Sequence, residues 1–203
     1  MIGQLYPQSN MGKKTLYLLR HGATDWSESG QQTSYTDLPL TPLGLEQSEK
    51  LAKRLQKQHF TKVFCSPLMR AQKTCEICGF KPTIDPDLVE WNYGKWEGMT
   101  YAEIRKQNPT WGLFEDGGED GESPDEVAER ARRFLQKINA LEGKIAIFSS
   151  AHFLRVLATQ WLGVPVLIGK HLLLSPGSVS ILGFEHEYPA ILCWNDISHL
   201  SIT

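Results

Sequence analysis

Short apolar runs alternate along the chain with longer stretches in which apolar residues recur at helical spacing. Residues 15–19 read Thr-Leu-Tyr-Leu-Leu, a run of the length of a buried strand, and it ends directly on Arg20-His21-Gly22. Thr41-Pro42 combines an N-cap residue type with proline at the first helical position and opens a helix expected to reach about Gln58. Val63, Phe64 and Cys65 suggest a second strand. Ser66-Pro67 repeats the helix-start device, which puts Arg70 in the first turn of the helix that follows. The clearest helix is expected from Pro124 to Leu141: Ser123-Pro124-Asp125-Glu126 is a capping box enclosing a proline, and Val127, Ala131, Phe134, Ile138 and Leu141 share one stripe. Residues 144–148, Lys-Ile-Ala-Ile-Phe, read as another strand and residues 153–162 as its helix. Two final runs, 178–184 and 190–194, joined through Glu185-His186-Glu187-Tyr188-Pro189, read as a hairpin.

Strands that alternate with helices imply an α/β three-layer sandwich, a mostly parallel mixed sheet with helices on both faces and an antiparallel edge. Ligands of such sheets gather beyond the carboxyl ends of the strands. Arg20-His21, residues 66–70 and residues 149–152 all leave such ends. With no repeat or linker dividing the chain, residues 11–203 are expected to form a single domain. Residues 1–10 are weakly patterned, precede Met11, and read as a flexible N-terminal extension.

Composition narrows the partners. A chain of 203 residues with 41% hydrophobic and 22% charged residues can bury one substantial core. A net charge of -2 gives no basic excess for nucleic acid or an anionic membrane. No apolar run approaches the roughly 18 residues that span a bilayer, and the start lacks the zones of a signal peptide, so a cytoplasmic location is expected. Among the four cysteines, Cys75-Glu76-Ile77-Cys78 has metal or redox spacing. Leu68, Ala71, Cys75 and Cys78 nevertheless fall on one helical stripe and no second ligand pair at zinc spacing follows, so packing is the preferred reading.

The chemistry centres on Arg20-His21-Gly22. A neutral imidazole nitrogen can attack phosphorus, and neighbouring guanidinium groups both stabilise the transferring oxygens and disfavour the protonated ring. An isolated Arg-His pair is more often a surface ion pair, and only its context reverses that preference. That context is Arg20-His21-Gly22-Ala23-Thr24-Asp25-Trp26, Leu40-Thr41-Pro42-Leu43-Gly44, Cys65-Ser66-Pro67-Leu68-Met69-Arg70-Ala71, and residues 88–98, Leu-Val-Glu-Trp-Asn-Tyr-Gly-Lys-Trp-Glu-Gly. In this order they resemble the signature segments of the histidine phosphatase superfamily, branch 1, with a phosphoglycerate mutase-like fold, over the chain from residue 14 onward.

The resemblance implies that His21 takes the phosphoryl group, that Arg20 and Arg70 bind phosphate, and that Glu90 gives and takes the proton. Ser27 stands where many members carry a phosphate-contacting asparagine, and Thr33 is a further candidate substrate contact. Residues 29–40 are most similar to the acid phosphatase and sedoheptulose-1,7-bisphosphatase-like members, which points to a small phosphorylated metabolite, a sugar phosphate. No metal or other cofactor is implied. The alternatives are a phosphoglycerate mutase, although the segment between Glu90 and Ser123 is short and acidic, and a non-catalytic phosphoprotein-binding module, against which His21 and Glu90 argue. Glu115, Asp116, Glu119, Asp120 and Glu122 in that segment are read as a solvated loop.

The chain departs from the family at residues 148–155. Counting back from Arg155, Ser150 holds the place of a second phosphate-binding histidine and His152 follows two residues later. Three readings stay open. Ser150 contributes only a hydroxyl, or the turn brings His152 into the site, or His152 caps its helix.

Overall fold

The computed structural model describes residues 14–201. The expected extension, residues 1–10, lies outside them. In chain order the elements are β1 (Lys14–Arg20), α1 (Asp25–Ser29), α2 (Pro42–Leu55), β2 (Lys62–Cys65), α3 (Met69–Ile77), β3 (Thr83–Ile84), α4 (Tyr101–Gln107), α5 (Leu113–Asp116), α6 (Pro124–Lys137), β4 (Gly143–Ser149), α7 (Ala151–Leu162), β5 (Val179–Glu185) and β6 (Tyr188–Asp196). Short 3-10 turns fill Pro86–Leu88, Gly94–Trp96, Val166–His171 and Ser198–Ser201.

The six strands form one sheet in the order β3-β2-β4-β1-β5-β6. β1 pairs in parallel with β4, from Lys14 opposite Gly143 to Arg20 opposite Ser149. β2 pairs in parallel with β4 and β3, while β5 and β6 run antiparallel and close one side. The fold is therefore the α/β sandwich that the alternation implied, with the antiparallel hairpin at its edge.

Period-two alternation explains why β1 and β4 read as continuous apolar runs. Leu16, Leu18, Ile145 and Ile147 face one layer, with Val127, Phe134, Phe153 and Leu157 of α6 and α7. Tyr17, Leu19, Ala146 and Phe148 face the other, with Leu51 of α2 and Ala71 and Cys75 of α3. Cys65 and Cys75 are buried in that second layer, and Cys78 is half-buried at its margin. The cysteine stripe is thus a packing surface, and burial raises the Cys78 thiol to about 12.

Several helix ends differ from expectation. α3 begins at Met69, because residues 66–68 form a turn in which Ser66 Oγ accepts from the Leu68 amide; Leu68 occupies the N-cap without a side-chain cap. α2 stops at Leu55 and α6 at Lys137, each followed by a tight turn back to its last residues. α7 begins two residues early, at Ala151, for a reason that lies in the site.

Candidate active site

The carboxyl ends of β1 and β4 lie side by side, and the His21 amide donates to the Ser149 carbonyl at 3.1 Å. The next two residues are pressed against α2 and α3. The Gly22 amide donates to Thr74 Oγ1 at 3.1 Å, and a Cβ on Gly22 would collide with the Gly44 carbonyl. Glycine at both positions lets the two backbones touch and fixes where His21 projects.

His21 is buried, with Nδ1 2.7 Å from the Gly22 carbonyl oxygen. A carbonyl only accepts, so Nδ1 carries the hydrogen and the neutral ring presents its lone pair at Nε2. Burial first, then the charges of Arg70 and Arg20, hold the imidazolium well below the ordinary histidine range. The ring is therefore neutral, and nucleophilic at the nitrogen away from the backbone.

Arg70 is fully buried and fans across the 33–36 loop, donating to the carbonyls of Thr33 (3.2 Å), Ser34 (2.9 Å) and Thr36 (3.1 Å). Arg20 donates through Nη1 to the Leu174 carbonyl, and burial lowers it to about 10, still cationic at neutral pH. Neither guanidinium makes an ion pair with a carboxylate among the described residues, and in each Nε is a buried donor without a protein acceptor. Buried donors are ordinarily satisfied, so unspent ones beside a lone-pair nitrogen mark a place built for an oxyanion.

Glu90 follows the 3-10 turn Pro86–Leu88 and is buried. Its Oε1 accepts from the Trp91 amide (2.8 Å) and the Phe153 amide (2.7 Å), and its Oε2 from the His152 amide (3.0 Å). The carboxylate thus takes the anion position at the N-terminus of α7, which Ser150, the N-cap residue, leaves without a side-chain bond. This cap from Glu90 is why α7 starts early. Behind Glu90, the Arg130 guanidinium donates to the Asp87, Val89 and Glu90 carbonyls and pairs with Glu122 at 2.7 Å.

Arg20, His21 and Glu90 line a pocket of about 70 Å³ together with Ser27, Thr33 and His152, whereas Arg70 is not among its lining residues and instead holds the 33–36 loop that includes Thr33. Sequence reasoning missed five more of its lining residues: Thr24, Gln31, Gln32, Tyr93 and Ala151. Gln32 and His152 also line a neighbouring cavity of about 380 Å³ with Trp111, Phe114 and Arg155. The small pocket suits a compact tetrahedral group, and the larger one has room for what that group is attached to.

The remaining candidates take distinct places. Ser27 belongs to the capping box of α1: its hydroxyl donates to the Thr24 carbonyl (2.9 Å) and accepts from the Thr24 amide (2.8 Å), so its hydrogen is already committed. Thr33 donates to the Gln31 carbonyl at 3.2 Å. Ser150 lies beside His21 at the end of β4, its hydroxyl buried and without a partner, but it is not among the residues lining the pocket. His152 does line it, with Nδ1 2.6 Å from the Tyr93 hydroxyl. Its ring makes no capping bond to α7. Burial, Arg155 and Arg20 keep it neutral.

Glu115, Asp116, Glu119 and Asp120 are exposed, as the solvated-loop reading expects, and only Glu122 is half-buried. Glu122 is the counter-ion of Arg130, Glu119 and Asp120 pair with Lys95, Glu115 pairs with Lys170, and Asp116 accepts from the Gly112 amide. The pairing of Glu122 with the buried Arg130 is the part that the linear reading of the loop did not anticipate.

A buried neutral imidazole in the field of two guanidinium groups, sharing a pocket with a buried carboxylate, agrees with similarities to known proteins. The family model for the histidine phosphatase superfamily (branch 1) matches residues 16–197. The acid phosphatase of Mycobacterium tuberculosis is 34% identical over 84% of this chain and 87% of its own length. The sedoheptulose 1,7-bisphosphatase of Saccharomyces cerevisiae is 35% identical over 73% of this chain and 68% of its own. Among solved structures, an open reading frame product of Mycobacterium tuberculosis superposes with a TM-score of 0.85 at 32% identity, covering 90% of this chain and 97% of that one. A mycobacterial glucosyl-3-phosphoglycerate phosphatase in complex with VO3 superposes with a TM-score of 0.80 at 27% identity, covering 89% and 98%. The chain belongs to branch 1 of the histidine phosphatase superfamily and is a phosphatase of that family.

Proposed function

We propose that this histidine phosphatase, which acts on small phosphomonoesters, hydrolyses a sugar phosphate through a phosphohistidine on His21. One observation carries the residue assignment. The Gly22 carbonyl holds the Nδ1 hydrogen of His21, so the lone pair is at Nε2, in the field of Arg70 and Arg20, two cations without carboxylate partners among the described residues.

In the first step Nε2 forms a bond to phosphorus as the ester P–O bond breaks, while Arg20 and Arg70 take the charge on the three remaining oxygens. Glu90 gives its proton to the departing sugar oxygen. In the second step Glu90 removes a proton from water, whose oxygen displaces Nε2 and releases inorganic phosphate. The three amides that grip the Glu90 carboxylate hold it in one orientation through both transfers. Ser27 and Thr33 then serve as pocket wall rather than primary donors, given the bonds they already make. Ser150, whose buried hydroxyl is not part of the pocket wall, leaves the contact of the family's second histidine unfilled, so slow turnover is expected. Similarity to an acid phosphatase and a sugar bisphosphatase, and a larger cavity walled partly by aromatic rings, support the sugar.

The test is a phosphomonoester panel with the phosphoenzyme trapped by rapid quench. Acid-labile phosphate on His21, its disappearance in His21→Ala, and release of phosphate carrying solvent oxygen are expected. Activity that survives His21→Ala would overturn the mechanism. Transfer of the group to a glycerate acceptor in preference to water would instead match the probable phosphoglycerate mutase of Erwinia tasmaniensis, 30% identical over 93% of this chain.

A further inference from the structure

The two peptides that follow the nucleophile are each held on both edges. In the first, the His21 carbonyl accepts from the Gly177 amide at 3.0 Å and the Gly22 amide donates to Thr74 Oγ1 at 3.1 Å. In the second, the Gly22 carbonyl takes the Nδ1 hydrogen of His21 and the Ala23 amide donates to Gln47 Oε1 at 2.8 Å. Peptide planes are stiff, so these contacts set the direction of the carbonyl that orients the imidazole. Of these partners only Thr74 lies in α3, the helix that carries Arg70. Its own hydrogen goes to the Arg70 carbonyl one turn earlier, at 2.9 Å. A helical threonine bonded to the carbonyl four residues before it is ordinary. One that also takes an amide from the turn after β1, 52 residues away in the chain, ties two parts of the site together.

The tie has little slack. Thr74 and Ser48 are fully buried. Ser48 Oγ lies 3.3 Å from Thr74 Oγ1, but a hydroxyl has one hydrogen, and Ser48 spends it on the Gly44 carbonyl at 2.7 Å. That carbonyl is where a Cβ on Gly22 would come within 2.3 Å, so Gly22 already touches α2 and has no room to move toward it. On its other side the Gly22 amide has Thr74 Oγ1 as acceptor, and a buried amide without one is costly. Arg70 is anchored separately, through the Thr33, Ser34 and Thr36 carbonyls. The Gly22 amide, the Thr74 hydroxyl and the Arg70 carbonyl therefore form a short link between the residue after the nucleophile and the backbone of the arginine that faces it across the site.

We propose that Thr74 is a positioning residue: its hydroxyl holds the turn after His21 against α3, and so fixes the direction of His21 Nε2 relative to Arg70. This rests on the reading that Nε2 attacks phosphorus. Thr74 does not line the phosphate pocket, and it acts through the Gly22 peptide on the ring. Displacing a nucleophile by about 1 Å costs roughly a hundredfold in rate, which makes a single tie at this point consequential.

Rapid-quench measurement of phosphohistidine formation tests it. Thr74→Val keeps the shape of the side chain and removes both bonds. Phosphorylation is expected to slow about 10- to 100-fold with KM changed by no more than about twofold, because Arg20 and Arg70 keep their own carbonyl anchors. Thr74→Ser keeps the hydroxyl and should stay within about threefold of the unsubstituted protein. A native rate in folded Thr74→Val, a rise in KM at unchanged kcat, or Thr74→Ser as slow as Thr74→Val would overturn the assignment. Should Thr74→Val not fold, Thr74→Ser and Thr74→Ala differ by the hydroxyl alone: the former is expected to be faster by about tenfold or more, and equal rates would refute the role. Nitrogen NMR of the His21 ring reads its orientation without turnover. The unsubstituted protein should show a protonated Nδ1 and a bare Nε2, and in Thr74→Val the two signals should draw together as the tautomers mix; unchanged signals would contradict the proposal. Absence of phosphohistidine in the unsubstituted enzyme would count against the His21 mechanism alone and leave these ring signals to decide whether Thr74 orients the imidazole.

Discussion

Arg130→Met is the sharpest test of how Glu90 is held. The guanidinium sits over the Phe153 ring at 4.6 Å, makes two bonds to the Glu122 carboxylate, and spends its remaining donors on the carbonyls of Asp87 (2.7 Å), Val89 (2.7 Å) and Glu90 (3.2 Å). Methionine fills much of the volume but supplies none of these donors. Glu122, whose side chain is 19% exposed, keeps only the Asn92 amide as a partner for its carboxylate. Removing one member of a buried pair costs about 3–5 kcal/mol, and three carbonyls lose their donor as well. For a domain of this size each kcal/mol moves the melting temperature by roughly 2–4 °C, so a fall of about 6–20 °C is expected. Adding Glu122→Gln to the same protein should restore part of the loss, because the stranded carboxylate is then neutral.

The same substitution separates positioning from packing. Glu90 is gripped from below by Arg130 and from above by α7, so slackening the lower hold is expected to reduce kcat by about 10- to 100-fold with little change in KM. Thermal unfolding and steady-state kinetics on one preparation give both quantities. A melting temperature within about 2 °C of the unsubstituted protein would refute the buried-pair argument. A large fall in stability with unchanged kcat at a temperature where the variant is folded would show that Arg130 does not position Glu90.

Three further outcomes are expected. Arg70→Lys keeps the charge but loses the fork that joins the 33–36 loop to the pocket, so kcat/KM should fall about 100-fold and amide exchange at residues 33–36 should rise; native kinetics would refute the clamp. His21 and His152 are both neutral in the fold, with pKa values below the ordinary histidine range. The unfolded chain then binds more protons below about pH 6.5, so stability should fall as pH drops from that point, and a melting temperature that falls just as steeply in His21→Asn/His152→Asn would contradict the assignment. Ser150→His should raise kcat about tenfold or more, the scale of one added oxyanion donor, and no gain in a folded variant with measurable starting activity would show that Ser150 is not what limits the rate.

Much of this site was legible because its parts are local. A strand that ends on Arg20-His21 declares itself by its apolar run, and Arg70 and Glu90 sit in segments whose order is itself a signal. What stayed hidden depends on contacts between distant residues. α7 begins at Ala151 because a carboxylate 62 residues earlier in the chain bonds the His152 amide, and no rule of local capping sees that far. Gln31, Gln32 and Tyr93 reach the pocket only because two loops fold over the strand ends. Glu122 was read as a loop acid, yet Arg130 lies beside the apolar stripe of Val127, Ala131 and Phe134. A charged residue against a buried stripe is a signal in the sequence that a counter-ion must come from elsewhere.

That criterion, applied to the buried Arg70, Arg130 and Arg155 and to the half-buried Arg20, sorts the molecule into scaffold and site. Arg130 finds Glu122 within its own chain, so its charge is balanced before any ligand arrives, and its role is to fix a loop. Arg20, Arg70 and Arg155 are saturated on one side by backbone carbonyls, which orient each guanidinium without neutralising it. Carbonyl dipoles hold a cation in place and leave its net charge to attract an anion, whereas a carboxylate would cancel it. The same reasoning bears on residue 150. In the proposed mechanism, with guanidinium groups already supplying the charge, a missing histidine would weaken one contact among several and leave the roles proposed for His21 and Glu90 unchanged. A slow enzyme is therefore the expected consequence of Ser150, rather than a site converted to binding alone.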